Sequence, residues 1–201
     1  MRFEIRYASG KHRKLTDEEL ILLVHAGNVS AFNELFNRYG QRLYCYFVKM
    51  LNRDEEKAKD FLQDLFLKLV EKLHYFDTGR NFSHWIYKIA TNMCLNEYKV
   101  QKIKHSKSNV ALLSLANQEV GAYEPNVEQK IDKENFQRCL AQELKKINPE
   151  TRSIFILRFQ ENCSIKEIGQ IMSLPEGTVK SRLFYTIKKL AHKLHHFNQL
   201  A

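Results

Sequence analysis

The chain has 201 residues, of which 44% are hydrophobic, and its 32 Lys and Arg residues outnumber 23 Asp and Glu residues to give a formal net charge of +9. This length suits one large domain or two small ones. The positive charge favours a polyanion or an acidic protein surface as the partner. Because no apolar run approaches the length of a membrane span and the first residues contain no hydrophobic signal core, we expect a cytoplasmic protein.

The cysteines give no sign of a metal site or of a disulfide framework. Cys45, Cys94, Cys139 and Cys163 are far apart and form no CxxC pair. We therefore expect reduced cysteines, no structural metal and no cofactor.

Helical periodicity runs through most of the sequence, which contains only 7 Gly and 3 Pro, and it predicts an all-α fold. Thr16 and Glu19 predict a capping box at the first helix. We expect a second helix from Ala31 to about Met50, capped by Ser30, and a third from Asp60 to Leu73. On the apolar faces of the third helix and of three later helices we expect buried residues, among them Val70, Phe136, Phe159 and Ile187.

The pattern divides the chain into two small helical domains joined by a flexible linker. Periodicity fails between them, in a polar stretch that contains Gly121 and Pro125. The predicted segments are a basic N-terminal tail at 1–15, a first domain at 16–100, a linker at 101–129, and a four-helix domain with a helix-turn-helix at 130–201.

A helix-turn-helix is predicted between Ile165 and Leu194. Gly169 permits a close crossing of its two helices, and Pro175 is suited to the start of the second. In that second helix one face is apolar, while the others are cationic and rich in hydrogen-bond donors, as a helix in the major groove requires. A plain helical hairpin would show the same apolar stripe. The residues expected to contact DNA are Gly177, Thr178, Lys180, Ser181, Arg182, Tyr185, Lys188 and Lys189.

An aromatic helix is predicted after the turn residues that follow Tyr75. It begins near Ser83 and places aromatic side chains beside Lys88, Asn92 and Lys99. Exposed rings stack on unpaired bases and cations follow the backbone, so this segment suits single-stranded DNA. Trp85 and Ile89 are better explained as core residues.

At this point the motifs, in their order, resemble the sigma-70 family of bacterial RNA polymerase sigma factors, in its small extracytoplasmic-function (ECF) type. Asp60-x-x-Gln63-Asp64-x-Phe66 resembles the helix that docks on core polymerase. Phe82-x-x-Trp85-Ile86-Tyr87-Lys88 resembles the helix that melts and reads the −10 element, and Pro175-x-Gly177-Thr178-Val179-Lys180-Ser181-Arg182 is similar to the helix that reads the −35 element. Ser173 replaces the turn glycine of many helix-turn-helix units.

The resemblance implies two further sets of functional residues. The polymerase-docking set is Asp60, Gln63, Asp64 and Leu67. The set for the −10 element and melting is Asp77, Arg80, Asn81, Phe82, Trp85, Tyr87, Lys88 and Asn92.

The resemblance also implies the partners: bacterial core RNA polymerase, promoter DNA as duplex and melted strand, and an anti-sigma factor, with no small-molecule substrate and no catalytic activity. A stand-alone helix-turn-helix regulator is an alternative. A metal-dependent enzyme is another, since His192, His195 and His196 have ligand-like spacing; protonated surface histidines at a helix end explain the same pattern.

Overall fold

The computed structural model describes residues 12–108, 129–195 and 197, with the backbone alone described at 105–108 and 129–134. The described residues form eight α-helices and one short 3₁₀ turn and contain no strand, which confirms the all-α prediction. Most of the predicted tail and linker, and His196, lie outside the described residues. The helices are α1 Asp17–His25, α2 Val29–Met50, α3 Glu55–Lys72, α4 Phe82–Ser108, α5 Gln129–Lys145, α6 Pro149–Phe159, α7 Ile165–Met172 and α8 Glu176–Lys193.

The helix starts follow the capping chemistry of the sequence. Thr16 and Glu19 form the predicted capping box, with Thr16 N–H donating to the Glu19 carboxylate at 2.7 Å. The prediction that Ser30 caps α2 is wrong, because Asn28 Oδ1 accepts the Ala31 N–H at 3.1 Å and the helix begins at Val29. Asp54 likewise caps α3, which starts five residues before the predicted Asp60.

The fourth helix is longer than predicted. It continues to Ser108, eight residues into the segment assigned to the linker. Loss of apolar periodicity therefore marked the end of burial, not the end of the helix: Val100 and Ile103 on this extension are 45% and 55% exposed. None of the helices in the described residues is long and apolar enough to cross a membrane.

One hydrophobic core joins the two halves of the chain. Helices α1–α4 supply residues such as Leu43, Tyr46 and Tyr87, and the same cluster includes Ile154 and Ile168 of the second half. A smaller cluster packs α5 against α8. The two predicted domains thus lie against each other, with α2 and α4 meeting α6 and α7.

The helix-turn-helix is formed by α7 and α8, as predicted. Ser164 and Glu167 build a second capping box at the start of α7. Ser173, in the place of a turn glycine, ends α7 in the left-handed conformation with φ 55°. A Cβ at Gly169 would lie 2.9 Å from the Leu174 carbonyl oxygen, so this glycine is what allows the turn to pass so close to α7.

Four apolar residues expected in the core are at least partly exposed, so those expectations are wrong. Ile187 is 44% exposed because the centre of the buried stripe of α8 is occupied by Thr186, whose hydroxyl donates to the Arg182 carbonyl. Val70 lies on the flank of α3 at 55% exposure. The remaining two are Phe136, at 37%, and Phe159, at 54%.

Replacing Gly169 by Ala should destabilise the protein by about 1–3 kcal/mol, because the new methyl group must displace a backbone carbonyl that cannot easily move. Urea denaturation followed by circular dichroism measures the loss. Gly177→Ala is the matched control, since nothing lies within 4 Å of a Cβ there, and it should cost no stability. Equal stability of the two variants would contradict the crowding argument.

Candidate nucleic-acid interface

The second helix of the helix-turn-helix presents a distinct face to solvent. Its buried stripe consists of Val179, Leu183, Thr186 and Leu190. On the opposite side, recurring at helical spacing, the exposed residues are Gly177, Ser181, Phe184, Tyr185 and Lys188, with Lys180 at the edge. A helix that enters the major groove must leave such a face uncovered.

Phe184 is part of this face and was missed by the sequence analysis. It is 61% exposed and its ring lies 5.5 Å from that of Tyr185, which is 68% exposed. An apolar residue next to Leu183 is easily assigned to the core. The signal that identifies it is register, since Phe184 lies about 140° around the helix from Val179.

Three predicted DNA contacts, Thr178, Arg182 and Lys189, lie on the flank of α8 that faces the start of α6. Arg182 NH1 donates to Glu150 Oε2 at 2.8 Å. A cleft of about 300 Å³ opens beside this pair, between α8 and the turn that joins α5 to α6.

The loop before α4 is compact and exposed. Asp77 organises it by accepting the Gly79 N–H at 3.0 Å through its side chain and the Arg80 N–H at 2.9 Å through its carbonyl. Asn81 Oδ1 then accepts the His84 N–H at 3.1 Å at the start of the helix. All five residues from 77 to 81 are exposed, so the loop can receive a ligand.

An aromatic cluster supports this loop. Phe82 is fully buried, and its ring lies 5.7 Å from Phe76 and 6.0 Å from Trp85. Its backbone N–H donates to Glu18 of α1 at 3.1 Å, which fixes where α4 begins. Trp85 is the partly exposed member of the cluster.

The predicted −10 residues therefore differ in exposure, with Trp85 partly exposed and the others in two groups. Asp77, Arg80, Asn81, Lys88 and Asn92 are exposed. Phe82 and Tyr87 are buried in this arrangement, so they have no surface for a base and instead hold the loop and the helix in place.

The first helix of the helix-turn-helix lies directly against α4. Lys88 Nζ donates to the Ser173 hydroxyl at 3.1 Å, and His84 Nε2 lies 3.0 Å from Glu167 Oε1. Hydrogen bonds from Ser164, backbone first, and then from His84 lower the pKa of the Glu167 carboxyl below its ordinary value. The carboxylate is thus charged where it faces α4.

A buried carboxylate links the domains behind this contact. Glu161, in the turn after α6, accepts the Tyr87 hydroxyl and Arg42 Nε, the latter at 3.0 Å. The Glu161 side chain is 2% exposed. Burial and the hydrogen bond to Glu161 raise the pKa of Tyr87 well above its ordinary value, so the phenol remains a donor.

Arg152 of α6 forms the most extensive contact between the domains. It is 2% exposed, and its NH1 donates to the Met50 carbonyl at 3.1 Å, to Asn52 Oδ1 at 2.9 Å and to the Tyr98 hydroxyl at 2.7 Å. Tyr46 adds a hydroxyl that lies 2.8 Å from Ser153 Oγ. Both domains therefore supply hydrogen-bond partners to polar groups at the contact, although Arg152 Nε is buried without a partner among the described residues.

The predicted docking face on α3 is fully exposed. Asp60, Gln63, Asp64 and Leu67 share one side of the helix, and Leu67 is 63% exposed. The unexpectedly exposed Val70 extends the apolar part of this surface. An apolar strip bordered by carboxylates is typical of a protein-binding surface.

The described residues contain no group of three His, Cys, Asp or Glu side chains that could hold a metal ion. The rings of His192 and His195 stack at the end of α8. All four cysteines are unpaired.

Comparison with known proteins gives two family matches. A model described as Sigma-70 region 2 matches residues 35–103, and one described as Sigma-70, region 4 matches residues 137–190. The ECF RNA polymerase sigma-E factor of Haemophilus influenzae is 26% identical over 184 residues, 90% of this chain and 96% of the relative. The ECF RNA polymerase sigma factor SigW of Bacillus subtilis is 27% identical over 80% of this chain and 87% of its own.

Solved structures show the same fold. CnrH in complex with the cytosolic domain of CnrY superposes with a TM-score of 0.65 at 21% identity, covering 90% of this chain and 97% of that one. The sigma factor RpoE, in complex with the anti-sigma factor NepR from Bartonella quintana, has a TM-score of 0.64 at 21% identity, covering 82% and 96%.

Removing the Glu161 side chain should weaken the contact between the domains. In Glu161→Ala the buried Tyr87 hydroxyl loses its acceptor, so the packed arrangement should lose about 1–3 kcal/mol relative to separated domains. Small-angle X-ray scattering should report a larger radius of gyration. Glu143→Ala removes a carboxylate that pairs with Lys146 inside the second domain and should leave the radius unchanged; an unchanged radius in Glu161→Ala as well would contradict the role of this contact.

Proposed function

The chain belongs to the sigma-70 family, among the ECF RNA polymerase sigma factors, and we propose that it reads its promoter with two separate surfaces, one on α8 and one at the start of α4. As a sigma factor it binds core RNA polymerase and directs promoter recognition. The observation that carries the assignment of surfaces is that a cationic, aromatic recognition helix and an exposed loop on an aromatic cluster occur in one chain. The polymerase, in the cytoplasm, supplies the chemistry.

The exposed face of α8 reads the −35 element as duplex DNA. Lys180 and Ser181 reach acceptors on base edges or phosphates, and Phe184 offers an apolar contact to a thymine methyl group. Lys188, later on the same face, contacts the phosphate backbone. This proposal keeps the predicted residues that the register exposes and adds Phe184.

The loop Asp77–Asn81 and the exposed side of α4 read the −10 element as single-stranded DNA. A base that leaves the duplex costs a few kcal/mol in lost stacking, which a shaped loop above Phe76 and Trp85 offsets by new contacts. Lys88 and Asn92 follow the strand along α4. Phe82 and Tyr87 support these groups from beneath.

The two domains separate before the −10 element is read. In the packed arrangement Lys88 is bonded to Ser173, and α7 packs against α4 beside the exposed side chains that would meet the strand. The exposed faces of α3 and α8 need no such change. Docking of α3 on core polymerase is thus compatible with the packed form, and strand reading is not.

We include an anti-sigma factor among the partners. The solved RpoE relative is bound to the anti-sigma factor NepR, and this chain has the same fold. A partner that stabilises the packed arrangement would keep α4 covered and the sigma factor inactive.

Transcription in vitro tests the proposed function. Purified protein is added to bacterial core RNA polymerase with a pool of promoter fragments, and transcript starts are sequenced. We expect starts that share two spaced upstream elements and that vanish with core enzyme alone. If core polymerase never binds the protein, and the protein alone protects a duplex site, the chain acts as a stand-alone regulator.

Truncating Leu67 should weaken binding to core polymerase by about 1–2 kcal/mol, because an apolar side chain that is exposed in the free protein would be buried in the complex. Fluorescence anisotropy of labelled protein titrated with core polymerase measures the change. Lys72→Ala, on the flank of the same helix, is the control and should bind as the wild type does. Unchanged binding of Leu67→Ala would remove this face from the docking site.

A further inference from the structure

We propose that Arg182 is a positioning residue for −35 recognition, which Glu150 holds in place, and that it does not read a base. The inference deepens the proposed function and rests on it. A cation in the first turns of a recognition helix is the usual choice for a base contact, and the sequence predicts that role for Arg182. The geometry assigns it a different one.

The first observation is the direction of the side chain. Arg182 lies between Val179 and Thr186 along α8, on the flank next to α6 and about 60° to 80° from the buried stripe. Its NH1 donates to Glu150 Oε2 at 2.8 Å, and its side chain is 32% exposed. Ser181 and Tyr185, on the outer face, are both exposed.

The second observation is that the backbone of the acceptor residue, Glu150, is fixed. Glu150 is the second residue of α6, and its backbone N–H donates to Asn148 Oδ1 at 2.9 Å. Pro149 precedes it at the first helical position, with a φ that is already helical. The carboxylate therefore starts from a rigid helix end and makes a defined anchor for α8.

The third observation is the cleft beside the pair. About 300 Å³ of open space separates this flank of α8 from the turn that joins α5 to α6, with Lys146, Ile147 and Thr151 on its far wall. The Glu150–Arg182 ion pair lies beside this space and ties α8 to the start of α6, which limits how α8 tilts toward DNA.

A partly exposed ion pair contributes little to global stability. Its effect on recognition is larger, because base contacts are lost when the groups that make them move by about 1 Å. Glu150 and Arg182 thus set the angle at which Lys180, Ser181 and Phe184 approach the groove. Specificity depends on the pair without either member touching a base.

Exchanging the charges of Glu150 and Arg182 distinguishes a positioning role for Arg182 from direct reading of a base. Full-length protein with core polymerase is assayed for initiation on a promoter identified as above and on a panel of single-base changes in its −35 element. Glu150→Arg and Arg182→Glu alone should each lower initiation about tenfold. The double variant, with the pair restored in reverse, should return to within about threefold of wild type, with the wild-type order of preference across the panel.

Glu150→Gln is a conservative variant that removes the negative charge and keeps the size of the side chain and the fold of the protein. It should lower initiation and flatten the preference across several positions, whereas release of a base-reading Arg182 would leave binding unchanged or tighter. Lys188→Ala, a charge removed from the same helix, should weaken all promoters alike and reduce the slope of log affinity against log salt by about 1.

The proposal is overturned if the swap stays as inactive as Arg182→Glu, or if Arg182→Gln loses preference at one base pair only. Either result would make Arg182 a direct reader while the proposed function stands. A wild-type protein that starts no promoter-specific transcript would overturn both the proposed function and this inference.

Discussion

A buried guanidinium decides how the two halves of this chain are arranged. Arg152 donates to the carbonyls of Lys145 and Ile147 in its own domain and to Met50, Asn52 and Tyr98 in the other. No carboxylate of the described residues forms an ion pair with it, so the cation is held by neutral acceptors alone. Burying such a group is costly unless its donors are satisfied, and three of the acceptors of its NH1 and NH2 groups, on Met50, Asn52 and Tyr98, are present only when the domains touch.

The interface that forms around this group affects the two proposed DNA-reading surfaces unequally. It buries Tyr87 of α4 and bonds Lys88 to Ser173, while the outer face of α8 and the proposed docking face of α3 remain open to solvent. Beside the shared hydrophobic core, it contains hydroxyls, a carboxylate and two guanidinium groups. These polar groups can be rehydrated when the domains part, which lowers the cost of separation.

Contacts between residues close in the sequence made much of the fold predictable. Contacts between residues far apart in the sequence could not be predicted. The capping box at Thr16 and the turn at Ser173 lie within a few residues of the groups that they bond. By contrast, Glu161 meets Tyr87 across 74 positions and Glu150 meets Arg182 across 32, and no periodicity links such pairs. The helix-turn-helix was therefore predictable from the sequence, whereas the packing of α7 against α4 and the internal partner of Arg182 were not.

The packed arrangement also allows the strength of the domain contact to control how tightly the protein binds an opened promoter. If strand reading requires separated domains, the apparent affinity for an opened promoter is the intrinsic affinity multiplied by the fraction of molecules that are open. A chain closed about 99% of the time would bind about a hundredfold more weakly than its open form, and each change of about 1.4 kcal/mol in the interface would move that value tenfold. Substitutions at Ser153 or Arg152, neither of which is proposed to touch a base, would then change the basal output of every promoter by the same factor.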